Sequence, residues 1–158
     1  MKNAMAALAL VSVCIAAGCG ATTRRQVDDP ADPRLVSSTV TFTTLNEGKD
    51  EKSAIAVQLL SDRNELAAEV RSAGVEFDDH TTSAPLVMSI TTPVLERDVP
   101  NSRLRLQLTP DGRDSWSFDV RLTLAFSDNT QQRFGWSGVM MDERNPERTL
   151  ALAGARIN

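Results

Sequence analysis

From Leu35 onward the chain alternates apolar and polar residues with a period of two. Val36, Val40 and Phe42 are interleaved with Ser37, Thr39, Thr41 and Thr43, and this β-branched composition fits a strand with one dry face. The turn-like run Asn46-Glu47-Gly48-Lys49-Asp50-Glu51-Lys52 leads to Ile55, Val57 and Leu59, which repeat the alternation and predict a hairpin. The period then changes. Asp62-Arg63-Asn64-Glu65 precedes Leu66, Ala67 and Val70, with Asp62 placed as a cap, Glu65 three residues on and Gly74 beyond the end, so a short helix is predicted over 63–73. Leu86, Met88 and Ile90 form a third alternating set and Leu104, Leu106 and Leu108 a fourth, bounded by prolines at 85, 93, 100 and 110.

The clearest pattern is Trp116, Phe118, Val120, Leu122, Leu124 and Phe126 at strict i, i+2 spacing, with Ser117, Asp119, Arg121 and Thr123 between them. Ser127-Asp128-Asn129-Thr130 turns the chain, and Phe134, Trp136, Gly138 and Met140 return beside it as an antiparallel hairpin, Trp116 and Trp136 sharing the packed face. Strands with one wet face must bury the other against something. An all-β antiparallel β-sandwich with one short helix, over residues 35–158, is the fold that does so.

The N-terminus has a different pattern. Met1-Lys2-Asn3 is a short positive start, 4–17 is greasy, and Ala16-Ala17-Gly18-Cys19 ends it with small residues. Such a stretch is too short to cross roughly 30 Å of hydrocarbon, which needs about 20 apolar residues. It resembles a bacterial lipoprotein signal with its lipobox. That resemblance implies a signal peptide over 1–18, cleavage before Cys19, and palmitate-like acyl chains on the Cys19 thiol. Cys14 does not qualify, because Val13 precedes it where the family has a small residue. Gly20 after the cysteine implies the outer membrane, facing the periplasm or the surface, if the organism has two membranes. Residues 19–34, with Pro30, Pro33 and few apolar side chains, read as a flexible tether to the cell envelope.

The strand order resembles the PLAT group of C2-like β-sandwiches. The residues that carry it are Val40-Thr41-Phe42-Thr43-Thr44, an acidic turn, Ile55-Ala56-Val57-Gln58-Leu59, Val75-Glu76-Phe77-Asp78-Asp79, Arg103-Leu104-Arg105-Leu106-Gln107-Leu108, and Trp116 after the turn at Asp114. The resemblance covers about residues 36–126. It implies an interaction module for membranes or proteins, sometimes with calcium, and no catalysis of its own.

Composition narrows the chemistry. Loss of the leader moves the formal charge from −4 to −5, which disfavours nucleic acid as a partner. With one histidine, no tyrosine and no cysteine after Cys19, a hydrolytic triad would need His80, in the polar loop Asp78-Asp79-His80-Thr81-Thr82-Ser83. A zinc site would need three carboxylates beside it. Arg97, Arg103, Arg105, Arg113 and Arg121 alternate with Glu96, Asp98, Asp111, Asp114 and Asp119, which predicts cross-strand ion pairs on solvated faces. Three turns are acidic, with Glu47, Asp50 and Glu51, then Asp78 and Asp79, then Asp111 and Asp114. If they emerge at one end of the sandwich they make a weak calcium site the candidate ligand centre, since calcium takes six to eight oxygens. The functional expectation is a lipid-anchored, non-catalytic binding module for an envelope protein or surface ligand. The alternatives are a structural envelope protein that assembles with itself or a larger complex, and a small hydrolase.

Overall fold

A computed structural model describes residues 32–157; the leader, Cys19 and the tether up to residue 31 lie outside the described residues. The strands are β1 (Leu35–Glu47), β2 (Ala54–Leu60), β3 (Leu66–Ser72), β4 (Leu86–Val87), β5 (Ser89–Ile90), β6 (Arg103–Thr109), β7 (Ser115–Phe126), β8 (Gln131–Asp142), β9 (Glu147–Ala151) and β10 (Arg156–Ile157). They form two antiparallel five-stranded sheets, ordered β10-β8-β7-β1-β4 and β5-β3-β2-β6-β9. Between them Val40 and Phe42 of β1 and the six alternating residues of β7 share one buried layer with Ile55, Val57, Leu59, Leu104, Leu106 and Leu108. An all-β architecture of two antiparallel sheets is thus observed, and β7 and β8 pair as the alternation requires.

The departures lie where the period breaks. β1 and β2 are not a hairpin. β1 pairs with β7 and β2 with β3 and β6, so the acidic run between β1 and β2 carries the chain from one sheet to the other. The stretch predicted as a helix contains β3. Ser61, Asp62, Arg63 and Asn64 form a tight turn in which the Ser61 Oγ accepts from the N–H groups of Arg63 and Glu65 and Asn64 takes φ +61°. Leu60 opposes Leu66 while Leu59 opposes Ala68, so Ala67 is an extra residue in the ladder. That bulge puts Ala67 and Ala68 both in the buried layer, a spacing that mimics one face of a helix in sequence. Among the described residues the helical segment is a 3-10 turn at Glu96–Asn101 instead.

Two more phase shifts matter. A bulge between Leu35 and Ser37 buries Leu35 and leaves Val36 56% exposed, although the alternation puts Val36 on the dry face. On β8 the register slips between the partners of Phe118 and Val120, where Gly138 adopts φ +66° and donates its N–H to Asp119 Oδ1 at 2.9 Å. Val139 and Met141 therefore point inward, Met140 is 50% exposed, and Trp136 is only half buried, its Nε1 donating to the Ala151 carbonyl. Leu86, Met88 and Ile90 do not make one strand either. β4 pairs with β1 and β5 with β3, and the buried Met88 between them marks the crossing from sheet to sheet. Asp32, Pro33 and Arg34, within the stretch read as tether, are bonded to the domain through Arg97, the Glu96 N–H and Ser127.

Leu122 is fully buried and Thr123 faces outward beside it. Leu122→Ala should destabilise the protein by about 2–5 kcal/mol and Thr123→Ala by less than about 1 kcal/mol in urea unfolding.

Candidate functional site

The three acidic turns meet at one end of the sandwich. Lys49 and Phe77 exchange backbone hydrogen bonds of 3.1 and 3.0 Å, joining the first turn to the second. The third turn joins the first through the Asp111 N–H, which donates to Ser53 Oγ at 2.9 Å, and through Ser115 Oγ, which donates to Glu47 Oε2 at 2.8 Å. Gly48 sits where a Cβ would lie 2.6 Å from the Phe77 carbonyl oxygen, so only glycine allows the first two turns to approach this closely.

At the centre lies Lys49, 1% exposed. Its ammonium donates to the carbonyls of Asp50 (2.8 Å) and Ser53 (2.5 Å) and lies 5.2 Å from the centre of the Phe77 ring. Phe77 stacks on Trp116 with ring centroids 5.1 Å apart and planes within 10°, and Phe42 and Phe118 pack on the same indole. Burial pushes the Lys49 ammonium below the usual lysine value of 10.5, while Asp114, Asp50 and Glu76 act in the opposite direction. Asp114 is nearly buried, and its Oδ2 has no hydrogen-bond donor among the described residues.

This geometry bears on the residues singled out for calcium. Glu47 is engaged by Ser115, Asp111 lies 3.9 Å from Lys52, and Asp78 and Asp79 follow Phe77 at the rim beside Gly48 and the exposed Asp50. Glu51 is exposed at the tip of its turn. Among the described residues no three His, Cys, Asp or Glu side chains converge as a metal-holding group. The charge buried in the middle of these carboxylates is the Lys49 ammonium. His80 stands on an exposed turn at φ +58°.

A second candidate is the outer face of the β10-β8-β7-β1-β4 sheet. Register places Thr39, Thr123 and Arg133 side by side with Ile157, and Thr41, Arg121 and Gly135 in the next row. Pro85 on one side and Ile157 on the other wall a trough here, formed by adjoining hollows of about 430 and 380 Å³ that share Thr41, Arg121 and Ile157. Asp119, held by the Gly138 N–H, stands at one end. The two exposed guanidiniums of Arg121 and Arg133 make no ion pair or hydrogen bond with the described residues. The opposite sheet behaves differently. There Arg105 is held by both oxygens of Glu147 (3.0 and 2.9 Å), Gln107 joins them, and Arg71 lies 3.9 Å from Glu69. The ion pairs expected from the alternating charges thus form at Arg105 and at Arg97, which meets Asp32 and Asp98; among the described residues they are missing at Arg103, which bonds to Asn64 Oδ1 instead, at Arg113 and at Arg121. Sequence reasoning passed over Arg133 and Lys49. Arg133 could have been found by its place opposite Thr123 in the hairpin, whereas a lysine in a charged turn carries no mark of burial.

The Lys49 end makes three predictions. Lys49→Met leaves the Asp50 and Ser53 carbonyls and the Asp114 carboxylate without their cation, and should cost about 2–4 kcal/mol at neutral pH. A lysine held below its unfolded value binds its proton less tightly when folded. Between the lowered value and 10.5 the unfolded chain therefore binds the extra proton, and the stability of the wild type relative to Lys49→Met should rise with pH toward 10.5 in denaturant melts. Millimolar calcium should leave the thermal unfolding curve superimposable on that in chelator, because the central position is already cationic. No family model matches the chain, and no curated protein is detectably similar to it, so its function has to be argued from these two surfaces.

Proposed function

We propose that this is an extracytoplasmic lipoprotein, anchored through acyl chains on Cys19, whose domain is a non-catalytic binding module of PLAT/C2-like type. The observation that carries the binding role is the pair of exposed arginines, Arg121 and Arg133, unpaired among the described residues, in a trough on a protein whose net charge is negative. Solvated arginines cost little when left alone, but two on adjacent strands repel each other, and a nearby carboxylate on the sheet would have relieved that. On the opposite sheet such carboxylates meet Arg105 and Arg71, whereas Asp119, which lines this trough, is held by the Gly138 N–H and makes no ion pair with either arginine among the described residues.

The non-catalytic reading is supported by the placement of His80, the one histidine of the chain, on an exposed turn and outside the set of residues that line the trough. The PLAT/C2-like reading is supported by the contact between its two most specific elements, Phe77 and the Trp116 that follows Asp114 and Ser115, which stack on each other. The anchor reading rests on the small-residue run ending in Cys19, and the thirteen residues 19–31 could span up to about 40 Å between lipid and domain. A structural role is favoured by one feature, the edge of β8 beyond Phe134, which β10 does not cover and which exposes Met140.

Cys19→Ser tests the anchor. The variant should shift from the membrane to the soluble fraction and lose incorporation of labelled palmitate; a variant that stays in the membrane with an unlabelled wild type rules the anchor out.

A further inference from the structure

We propose that the trough on the β10-β8-β7-β1-β4 sheet receives an extended acidic peptide segment of another protein, with carboxylates on alternate residues. The inference rests on the binding-module reading and names the ligand class for that face.

The charge of the trough calls for an anion. Arg121 and Arg133 are exposed and unpaired among the described residues, and the hydroxyl-bearing Thr39, Thr41 and Thr123 lie between and beside them. A planar guanidinium is built to grip a carboxylate with two parallel hydrogen bonds, and threonine hydroxyls can donate to the same oxygens.

The spacing calls for an extended chain. Arg121 opposes Gly135 and Thr123 opposes Arg133, so the two arginines are diagonal neighbours on adjacent strands. Diagonal positions are about 7–8 Å apart, and alternate side chains of an extended peptide are separated by about 6.6–7 Å, so carboxylates at i and i+2 reach one arginine each. A helical segment puts i and i+2 on different faces and does not match.

The walls call for a narrow ligand. Pro85 and Ile157 stand on opposite flanks, and Ile157 lies over Gly135, with its Cδ1 and Cγ2 3.4 and 3.5 Å from the place a Cβ would take there. A single chain fits between such flanks, whereas a flat lipid surface is held off by them. No aromatic residue lines the hollow that holds both arginines, and Trp136, which borders the adjoining one, is half buried with its Nε1 bonded to the Ala151 carbonyl, so stacking on sugar rings has no platform between the arginines. Asp119 at one end adds polarity along the trough, favouring a basic residue or a free amino terminus of the peptide at that end.

The test uses the full chain in detergent micelles and fluorescence anisotropy at low ionic strength. The probes are an eight-residue peptide alternating Glu and Thr, a peptide of the same composition with its four Glu in one block, polygalacturonate, and phosphatidylglycerol vesicles. The alternating peptide should bind about tenfold or more tighter than the block peptide, and the double variant Arg121→Ser, Arg133→Ser should lose about tenfold or more. Arg105→Gln, on the opposite sheet, should bind as the wild type does. Equal binding of the two peptides, or binding indifferent to Arg121 and Arg133, overturns the proposal. Should polygalacturonate or the vesicles bind through those arginines while the alternating peptide does not, the peptide is wrong and the face remains a binding surface. If no probe responds to the two arginines, the binding-module reading falls as well.

Discussion

Only every second side chain of a strand can reach the layer that two stacked sheets share, and the rest of this structure is arranged around that limit. The layer holds Trp116, Phe118, Val120, Leu122, Leu124 and Phe126 from a strand that never loses phase. Other strands lose it and recover it. Extra residues at Val36, Ala67 and Gly138 shift the phase by one, and in each case the neighbouring apolar residue turns inward to keep the layer filled. A one-residue slip without such a bulge would carry a whole strand's apolar set to the solvent. The bulges also aim side chains. Gly138 fixes Asp119 at the end of the outer trough, so a correction needed by the core also sets the charge pattern of the surface.

At one end of the layer the chain solves a different problem. The loops that leave the sheets there carry many carboxylates, and like charges brought together raise the free energy of closure. Lys49 answers from inside, with its ammonium ringed by backbone carbonyls and resting against the Phe77 ring that itself packs on Trp116. The aromatic core and the acidic cap are therefore one unit. The cation is costly to bury; it closes the first turn on the carbonyls of Asp50 and Ser53, and its contact with the Phe77 ring, beside the backbone bonds between Lys49 and Phe77, ties that turn to the second.

How much of this could be read in the sequence follows from the length scale of each feature. The long alternation in β7 and the shorter ones in β2 and β6 depend only on neighbours along the chain, and they fold as the pattern says. The 63–73 segment does not, because Leu66, Ala67 and Val70 have a helix-like spacing that a single bulge produces in a strand, and the choice is made by hydrogen bonds to β2. The sheet change between β1 and β2, and the sheet crossing at Met88, are set by partners far away in sequence. For the surfaces, the convergence of acidic turns was legible and the cation among them was not, since burial of Lys49 depends on three loops at once. Arg121 looked paired because acidic residues stand near it in sequence, whereas alternation puts Asp119 and Arg121 on one face and register hands Asp119 to Gly138 instead.

The position of β1 has a consequence for how the molecule comes into being. Leu35 pairs with Phe126 and Phe42 with Val120, so the first strand of the domain waits for one made near its end, while β2 waits for β6. Neither sheet can close on a chain that is still arriving. Such distant pairings make folding slow for a domain of this size, on the order of milliseconds to seconds, and cooperative once it begins. Until β7 is present, β2, β3, β5 and β6 can pair with one another but β1 lacks its main partner, so a chaperone can hold or a narrow channel can thread a chain whose β10-β8-β7-β1-β4 sheet is still open.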